Sequence, residues 1–388
     1  MNWQDILIDA AATDTGMRRS NNQDRFAIVR AKTPEAWKKR GHVFMVADGM
    51  GAHAVGELAS KLACDNIPHN FAKMKVESTA EALTKAYREV ANIIHAKANA
   101  NKDFQGMGTT CSTLVLGPDG ALIAHVGDSR VYRIRGGTID QLTFDHSLVW
   151  ELIRRNHLPP EHAQKAVPRN VITRSLGPDP NIEVDIEGPH PVESGDVYLL
   201  CSDGLSGPIE DPELGAFASQ FHPDTASKYL LHLANLRGGH DNITVMIVRV
   251  GPWDDPDDPN LSVLEPGASV GASSAKGKGF SLASLRNAFQ RKPPSEPVEE
   301  HIYRTAPCPI DDALLNRLSE DLRSAQALAV EQAWPIDWAT LTALREDAKA
   351  ARSAGDRRKA LRMIGEIILR LGVAGRVHRK EHGPIGAH

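Results

Sequence analysis

The sequence predicts an α+β fold: antiparallel strands stacked as a sandwich, helices packed outside them, then a linker and a small all-helical module. Three observations predict it. Strand-length apolar runs occur in groups joined by tight turns. Helical stretches fall between those groups rather than between single strands, which argues against a doubly wound parallel sheet. After Gly251 the chain turns rich in Pro, Gly, Ser and Asp, and helical spacing returns only from Ile310.

The elements follow in order. Residues 5–14 read as a strand leading to Asp14 and Gly16. Residues 24–30 and 43–48 read as strands, the second apolar on both faces. The polar insert AKTPEAWKKRG between them reads as a hairpin loop. Residues 56–66 read as a helix and 78–98 as a stronger one. There Ser78 and Glu81 form a capping box, and Leu83, Tyr87, Val90 and Ile94 share a face. Segments 111–116, 121–126, 131–134 and 138–142, with turns GPDG and GG, read as one antiparallel meander. A short helix over 148–155 precedes a polar surface excursion over 156–190. Then come a strand at 197–202, a helix at 224–236 and a closing strand at 243–250.

The expected organisation is a first domain over residues 1–251, a flexible linker over 252–305 and a helical module over 306–388. In the linker, Phe280, Leu282, Leu285 and Phe289 alternate with Arg286, Arg291 and Lys292 and read as a transient helix. In the module, Leu314, Leu318 and Leu322, then Leu361, Ile364, Ile368 and Leu371, predict two or three helices over 306–375 before a frayed basic end.

Composition narrows the function. The chain has 388 residues, 41% hydrophobic and 24% charged, an ordinary balance for a folded soluble protein. A net charge of −4 carries no electrostatic footprint for nucleic acid. No apolar run reaches the roughly 18 residues that a membrane span needs. The N-terminus MNWQDILIDAAATD lacks the basic and long apolar regions of a signal peptide, so a cytoplasmic location is expected. Cys64, Cys111, Cys201 and Cys308 form no CxxC pair, which argues against a zinc site, and three of the four lie in apolar runs and read as small core residues of a reducing compartment. GxxxxGK is absent, which disfavours a P-loop NTPase. The GxSxG string GASVG at 267–271 lies in the Pro/Gly/Ser-rich linker rather than between a strand and a helix, so it forms no nucleophile elbow and a serine hydrolase is disfavoured. Ser129 and His125 therefore read as meander residues.

The chemistry lies in the aspartates. Asp48 ends the apolar run of VFMVADGMGAH, and Asp203 ends that of LLCSDGL. Asp128 stands in HVGDSR, Asp241 just before the strand of GGHDNITVMIV, and Asp24 just before that of SNNQDRFAIV. An acid at the end of a buried strand is costly unless a cation or a donor neutralises it. The adjoining glycines let a backbone carbonyl approach an ion. Gathered by folding, five such carboxylates suit hard divalent cations.

With these residues in view, the chain resembles the metal-dependent protein phosphatases of the PP2C type in their bacterial form. The resemblance covers residues 9–250 and rests on TDTGMRRSNNQD, VADGMGAHAVGELAS, GMGTTCSTLVL, AHVGDSRVYRIR, QLTFDHSLVWELI, NVITRSLG, YLLCSDGLSG and GHDNITVMIV, in the family's order. It implies a four-layer α/β/β/α sandwich of two antiparallel sheets flanked by helices. It implies that Asp48 bridges two Mn2+ or Mg2+ ions, with the Gly49 carbonyl completing one shell. Asp203 would hold the first ion, Asp24 and Asp241 the second, and Asp128 a third, weaker one. Arg19 would grip the substrate phosphate. It further implies hydrolysis of phosphoserine and phosphothreonine by a water between the ions, without a phosphoenzyme, in signalling opposite Ser/Thr kinases. The partners are then phosphorylated proteins, a kinase or its substrates, with a further protein partner for residues 306–388. Two departures stand out: Gln23 replaces a common Glu, and Met50 stands where animal members place a histidine, leaving His53 as a nearby but weak candidate acid. The alternative class is a non-catalytic phospho-binding or scaffold protein with the same fold. It would lack ligands, whereas every expected acid is present here.

Overall fold

The structure is a computed structural model that describes residues 7–51, 55–76, 78–154, 171–253 and 302–383. His53, residues 155–170 of the polar excursion and the amphipathic linker stretch 280–292 lie outside the described residues. Among the described residues, twelve strands form two antiparallel sheets. The first has the order β1 (Leu7–Asp14), β11 (Ile243–Val250), β10 (Val197–Cys201), β7 (Arg130–Arg135), β8 (Thr138–Gln141), β12 (Arg304–Pro307). The second runs β2 (Asp24–Val29), β3 (His42–Met50), β5 (Cys111–Gly117), β6 (Gly120–Val126), β9 (Asp185–His190), with β4 (Gly108–Thr109) paired to the end of β3.

The alternation of β3 shows why the sheets stack. Phe44 and Val46 face the first sheet, packing with Val131, Tyr198, Leu200 and Met246. Val43, Met45 and Ala47 face the opposite way, onto α2 (Val55–Lys73) and α3 (Thr79–Ala100). Both faces are dry, so the strand reads as a continuous apolar run. The other face of the first sheet is covered by α5 (Asp203–Ser206), α6 (Asp211–Gln220) and α7 (Pro223–Leu236). This is the four-layer order helix, sheet, sheet, helix.

Several elements differ from the expectation. The insert expected to be a hairpin loop holds α1 (Pro34–Arg40), capped by Thr33, whose side chain accepts from the Ala36 N–H at 3.1 Å. Proline in its first turn is an N-terminal helix signal, because that N–H has no partner to lose. The single meander is two hairpins: β5–β6 belongs to one sheet and β7–β8 to the other. The chain changes sheets at Gly127–Asp128–Ser129. The polar excursion ends in β9, an edge strand whose half-buried residues explain its polar composition. A short α4 (Leu148–Arg154) stands before it. Helices α5 and α6 are additions.

The last residues of the expected linker, Arg304 and Thr305, stand in β12, which extends the first sheet by pairing with β8. Three helices follow: α8 (Asp312–Glu331), α9 (Trp338–Ser353) and α10 (Arg357–His382). The last continues to His382, so the basic end is helical through that residue. Leu314, Leu318, Leu322, Leu361, Ile364, Ile368 and Leu371 are all buried, and they share one core with Phe217, Tyr229 and Leu230. The C-terminal helices are thus a further layer on α7. Gly365 and Gly372 permit the close approach: a Cβ at either position would meet Tyr229 or His232 of α7 at 2.4 Å. Among the described residues, no helix is long and apolar enough to cross a membrane.

Candidate active site

Each aspartate sits where a strand of the sandwich begins or ends. Asp24 opens β2 and pairs directly with Asp48 near the end of β3. Asp128 lies at the crossing from β6 to β7, Asp203 just past β10, and Asp241 just before β11. Strands of both sheets, the edge strand β2 among them, therefore deliver their acids to one end of the sandwich.

Backbone anchors keep Asp48 in place. Its N–H donates to Thr110 Oγ1 at 3.0 Å, and its carbonyl accepts from Thr109 Oγ1 at 2.9 Å. The next residue must be glycine, since a Cβ at Gly49 would lie 2.0 Å from the Gly56 carbonyl oxygen. Asp24 is fully buried, and its Oδ2 accepts from Ser202 Oγ at 2.7 Å. Asn242 fastens the neighbouring loops: its Nδ2 donates to the Thr15 and Asn21 carbonyls, and its Oδ1 accepts from the Gln23 N–H.

The electrostatics are unfavourable to bare carboxylates. Burial, with the nearby charges of Asp203 and Asp241, raises Asp24 to about 7 despite hydrogen bonds from Ser202 and Thr244. Burial and the charge of Asp241 raise Asp203 to about 6. Asp48 is pushed well above the carboxylate range by burial and by Asp24, Asp203, Asp128 and Asp241. Asp128 is pushed up by burial and by Asp203. Asp48 feels the charges of the other four, so the fold places the five acids near one another. Asp24 Oδ1, Asp128 Oδ1 and Asp203 Oδ1 are buried without a hydrogen-bond partner. Like charges confined in a poorly solvated place call for a counter-charge. No three His, Cys, Asp or Glu side chains among the described residues form a finished cation cage, so other donors must complete any shell. The acids fit hard cations by charge and donor type, all oxygen.

Arg19 lies on the loop from β1 to β2, half exposed, and its Nη2 donates to Asp241 Oδ2 at 2.7 Å. Arg18 is exposed beside it, and its backbone N–H donates to the Gly239 carbonyl. His125 and Ser129 make no catalytic pair. The imidazole bonds Ser112 Oγ and the Phe144 carbonyl, and Ser129 Oγ bonds Thr110 Oγ1. All four cysteines are buried and free. The supporting residues Ser202, Asn242, Thr109 and Thr110 were not singled out by sequence. Their one signal is adjacency to the aspartate motifs: SDG, DNI and the GMGTT that pairs with β3.

The comparisons agree with this architecture. The protein phosphatase 2C family profile matches residues 17–228. Protein phosphatase PhpP of Streptococcus pneumoniae is 36% identical over 245 residues, covering 62% of this chain and 97% of its own length. The crystal structure of the Mycobacterium tuberculosis serine/threonine phosphatase PstP/Ppp superposes with a TM-score of 0.56 at 31% identity, covering 64% of this chain and all of that one. A structure of the PstP catalytic domain with two manganese ions gives 0.54, also at 31% identity, over 64% of this chain and 99% of its own. A sandwich of this topology, with acids at its strand ends and relatives matched over nearly their whole length, places the chain in the protein phosphatase 2C family of serine/threonine phosphatases.

Proposed function

We propose that the chain dephosphorylates phosphoserine and phosphothreonine in proteins with two or three Mg2+ or Mn2+ ions held by Asp24, Asp48, Asp203 and Asp241. The Gly49 carbonyl would add a donor, and Asp128 would serve the third ion. The carrying observation is the set of three buried carboxylate oxygens without partners, on acids that raise one another's pKa. When bound, such ions supply an activated water and offset charge on the phosphoryl oxygens. The chain's own residues do the rest. Thr109, Thr110 and Ser202 hold Asp48 and Asp24 against their mutual repulsion. Arg19 presents a planar fork at the rim of the acids, with Nη2 on Asp241 and half its side chain open to solvent. That fork suits a phosphoryl group as its charge builds. No side-chain nucleophile is required, so no phosphoenzyme forms. The setting is signalling opposite Ser/Thr kinases, in the cytoplasm, with phosphorylated proteins as partners.

Residues 1–251 are then the catalytic unit. A protein-interaction role for residues 306–388 is supported by a cavity of about 400 Å³ that α8, α9 and α10 line with the apolar Leu322, Ile364 and Ile367 and the cationic Arg323, Arg345 and Lys349.

The test is hydrolysis of a phosphothreonine peptide after exhaustive chelation and after Mn2+ is restored. Turnover should vanish and return. Full turnover in chelator would refute the metal reading, and no turnover with Mn2+ would favour a non-catalytic phospho-binding protein.

A further inference from the structure

The loop over residues 15–23 crosses from β1 in one sheet to β2 in the other, so it has no ladder of its own. It is held at its base. Asp14 Oδ1 accepts from the Gly16 N–H at 2.9 Å, and the Met17 and Arg18 N–H groups donate to the Gly239 carbonyl. Gly16 has φ +78°, and a Cβ there would lie 2.0 Å from the Asp241 carbonyl oxygen, so the backbone is drawn tightly to the start of β11.

The last turns of α10 reach the same loop from outside. Arg376 and Arg379 are three residues apart and lie on one face. Arg376 Nη1 donates to Asp14 Oδ2 at 2.9 Å. Arg379 donates from Nη1 to the Gly16 carbonyl and from Nη2 to the carbonyl of Arg19 itself. One guanidinium therefore spans the loop from its tight turn to the residue that faces the acids. Cations at a helix C-terminus are also favoured by the helix dipole. The body of α10 is fixed by its buried seam on α7, so this contact has a rigid base. Helices α8–α10 lie outside the span that matches the family, residues 17–228.

We infer that Arg379, steadied by Arg376, is a positioning residue for Arg19, and that the C-terminal module sets how well the enzyme binds the phosphoryl group of its protein substrate. This rests on the reading of Arg19 as the phosphate-binding residue. Displacing α10 frees the loop and weakens substrate binding, which makes the module an intramolecular control on affinity for phosphorylated protein.

The experiment uses the full chain with Mn2+ and a phosphothreonine peptide. Arg379→Ala should raise KM on the order of tenfold with a smaller change in kcat, as expected when a binding group is misplaced rather than removed. Arg379→Lys should recover part of the loss, because one ammonium does not replace a fork that reaches two carbonyls. Lys380→Ala, on an exposed neighbour, should behave as wild type. Hydrogen exchange over residues 15–23 should quicken in Arg379→Ala, and this readout serves even if the variant is less stable. The discriminating arm is the Arg19→Ala background. With Arg19 absent, Arg379→Ala should change KM no further, since there is nothing left to position. Additive losses on that background, or wild-type KM and exchange in Arg379→Ala, overturn the inference. If Arg19→Ala alone leaves KM unchanged, the reading of the site fails first, and the two failures are told apart.

Discussion

Replacing Gly365 and Gly372 by alanine tests, by the sign of the effect, whether α10 is seated on α7 in solution. In an exposed helix each change stabilises by about 1 kcal/mol, because glycine is a poor helix former. Here the added carbon at Gly365 would lie 2.4 Å from Tyr229 Cε2 and 2.5 Å from Cδ2, and at Gly372 it would lie 2.4 Å from His232 Nδ1. Carbon contacts settle at about 3.5–4.0 Å, so the helices must part by roughly 1 Å or more. The Tyr229 ring cannot easily swing aside. It is buried against Phe217 and Phe221, and its hydroxyl donates to Glu366 Oε1 at 2.6 Å. Parting the helices loosens the seam of Leu361, Ile364, Ile368 and Leu371. Overpacking of this kind costs about 1–3 kcal/mol, and a rigid aromatic neighbour places it toward the upper end. Net destabilisation of about 1–2 kcal/mol per site follows after the helix-propensity gain is subtracted. Urea unfolding followed by circular dichroism, with midpoint and slope fitted together, reads the effect. A higher midpoint in either variant would refute the packing, since only a helix standing free of α7 gains from the change.

Other outcomes follow from the site and the core. Arg19→Ala should lose about 2–4 kcal/mol of transition-state binding in kcat/KM, whereas Arg18→Ala should lose little; equal small losses would remove Arg19 from the site. Asp203→Asn should abolish turnover while the circular dichroism spectrum persists, because the amide keeps volume and removes charge; wild-type rates would contradict the assignment. Burial, aided by Arg30, His146 and Arg376 respectively, lowers His42 to about 4, His125 to about 3 and His232 to about 4. Each is neutral in the fold and protonates first in the unfolded chain. Their stabilisation is complete above about pH 6.5 and declines by up to ~1.4 kcal/mol per pH unit per histidine as pH falls toward the folded values. The raised carboxyls of Asp24 and Asp203 act in the opposite direction over the same window, so the readout is a difference. The stability of wild type relative to His232→Asn should fall from pH 7 to 5, and a constant difference across that window would refute the buried neutral state of His232.

The class of fold and the candidate acids were legible in the amino-acid sequence. Asp24, Asp48, Asp128, Asp203 and Asp241 were legible because each acid abuts an apolar strand run, an arrangement that local polarity and glycine placement expose directly. Cys111 to Gln141 were legible as strands and turns for the same local reason. Their division between two sheets was not, because the turn at Gly127 looks like any hairpin and only pairing with β3 or with β10 separates the halves. Helix α1 was masked by a polar surface that does not show helical periodicity, although Thr33 and Pro34 mark its start. The supporting hydrogen bonds of Ser202, Asn242 and Thr110 join residues tens to hundreds of positions apart, which no local pattern encodes. The seat of the C-terminal helices was not legible in the sequence. Their apolar faces require some partner, but any apolar face satisfies that requirement equally. The choice of α7, and with it the reach of Arg379 to the loop of Arg19, depends on glycines at the contact and on shape in three dimensions.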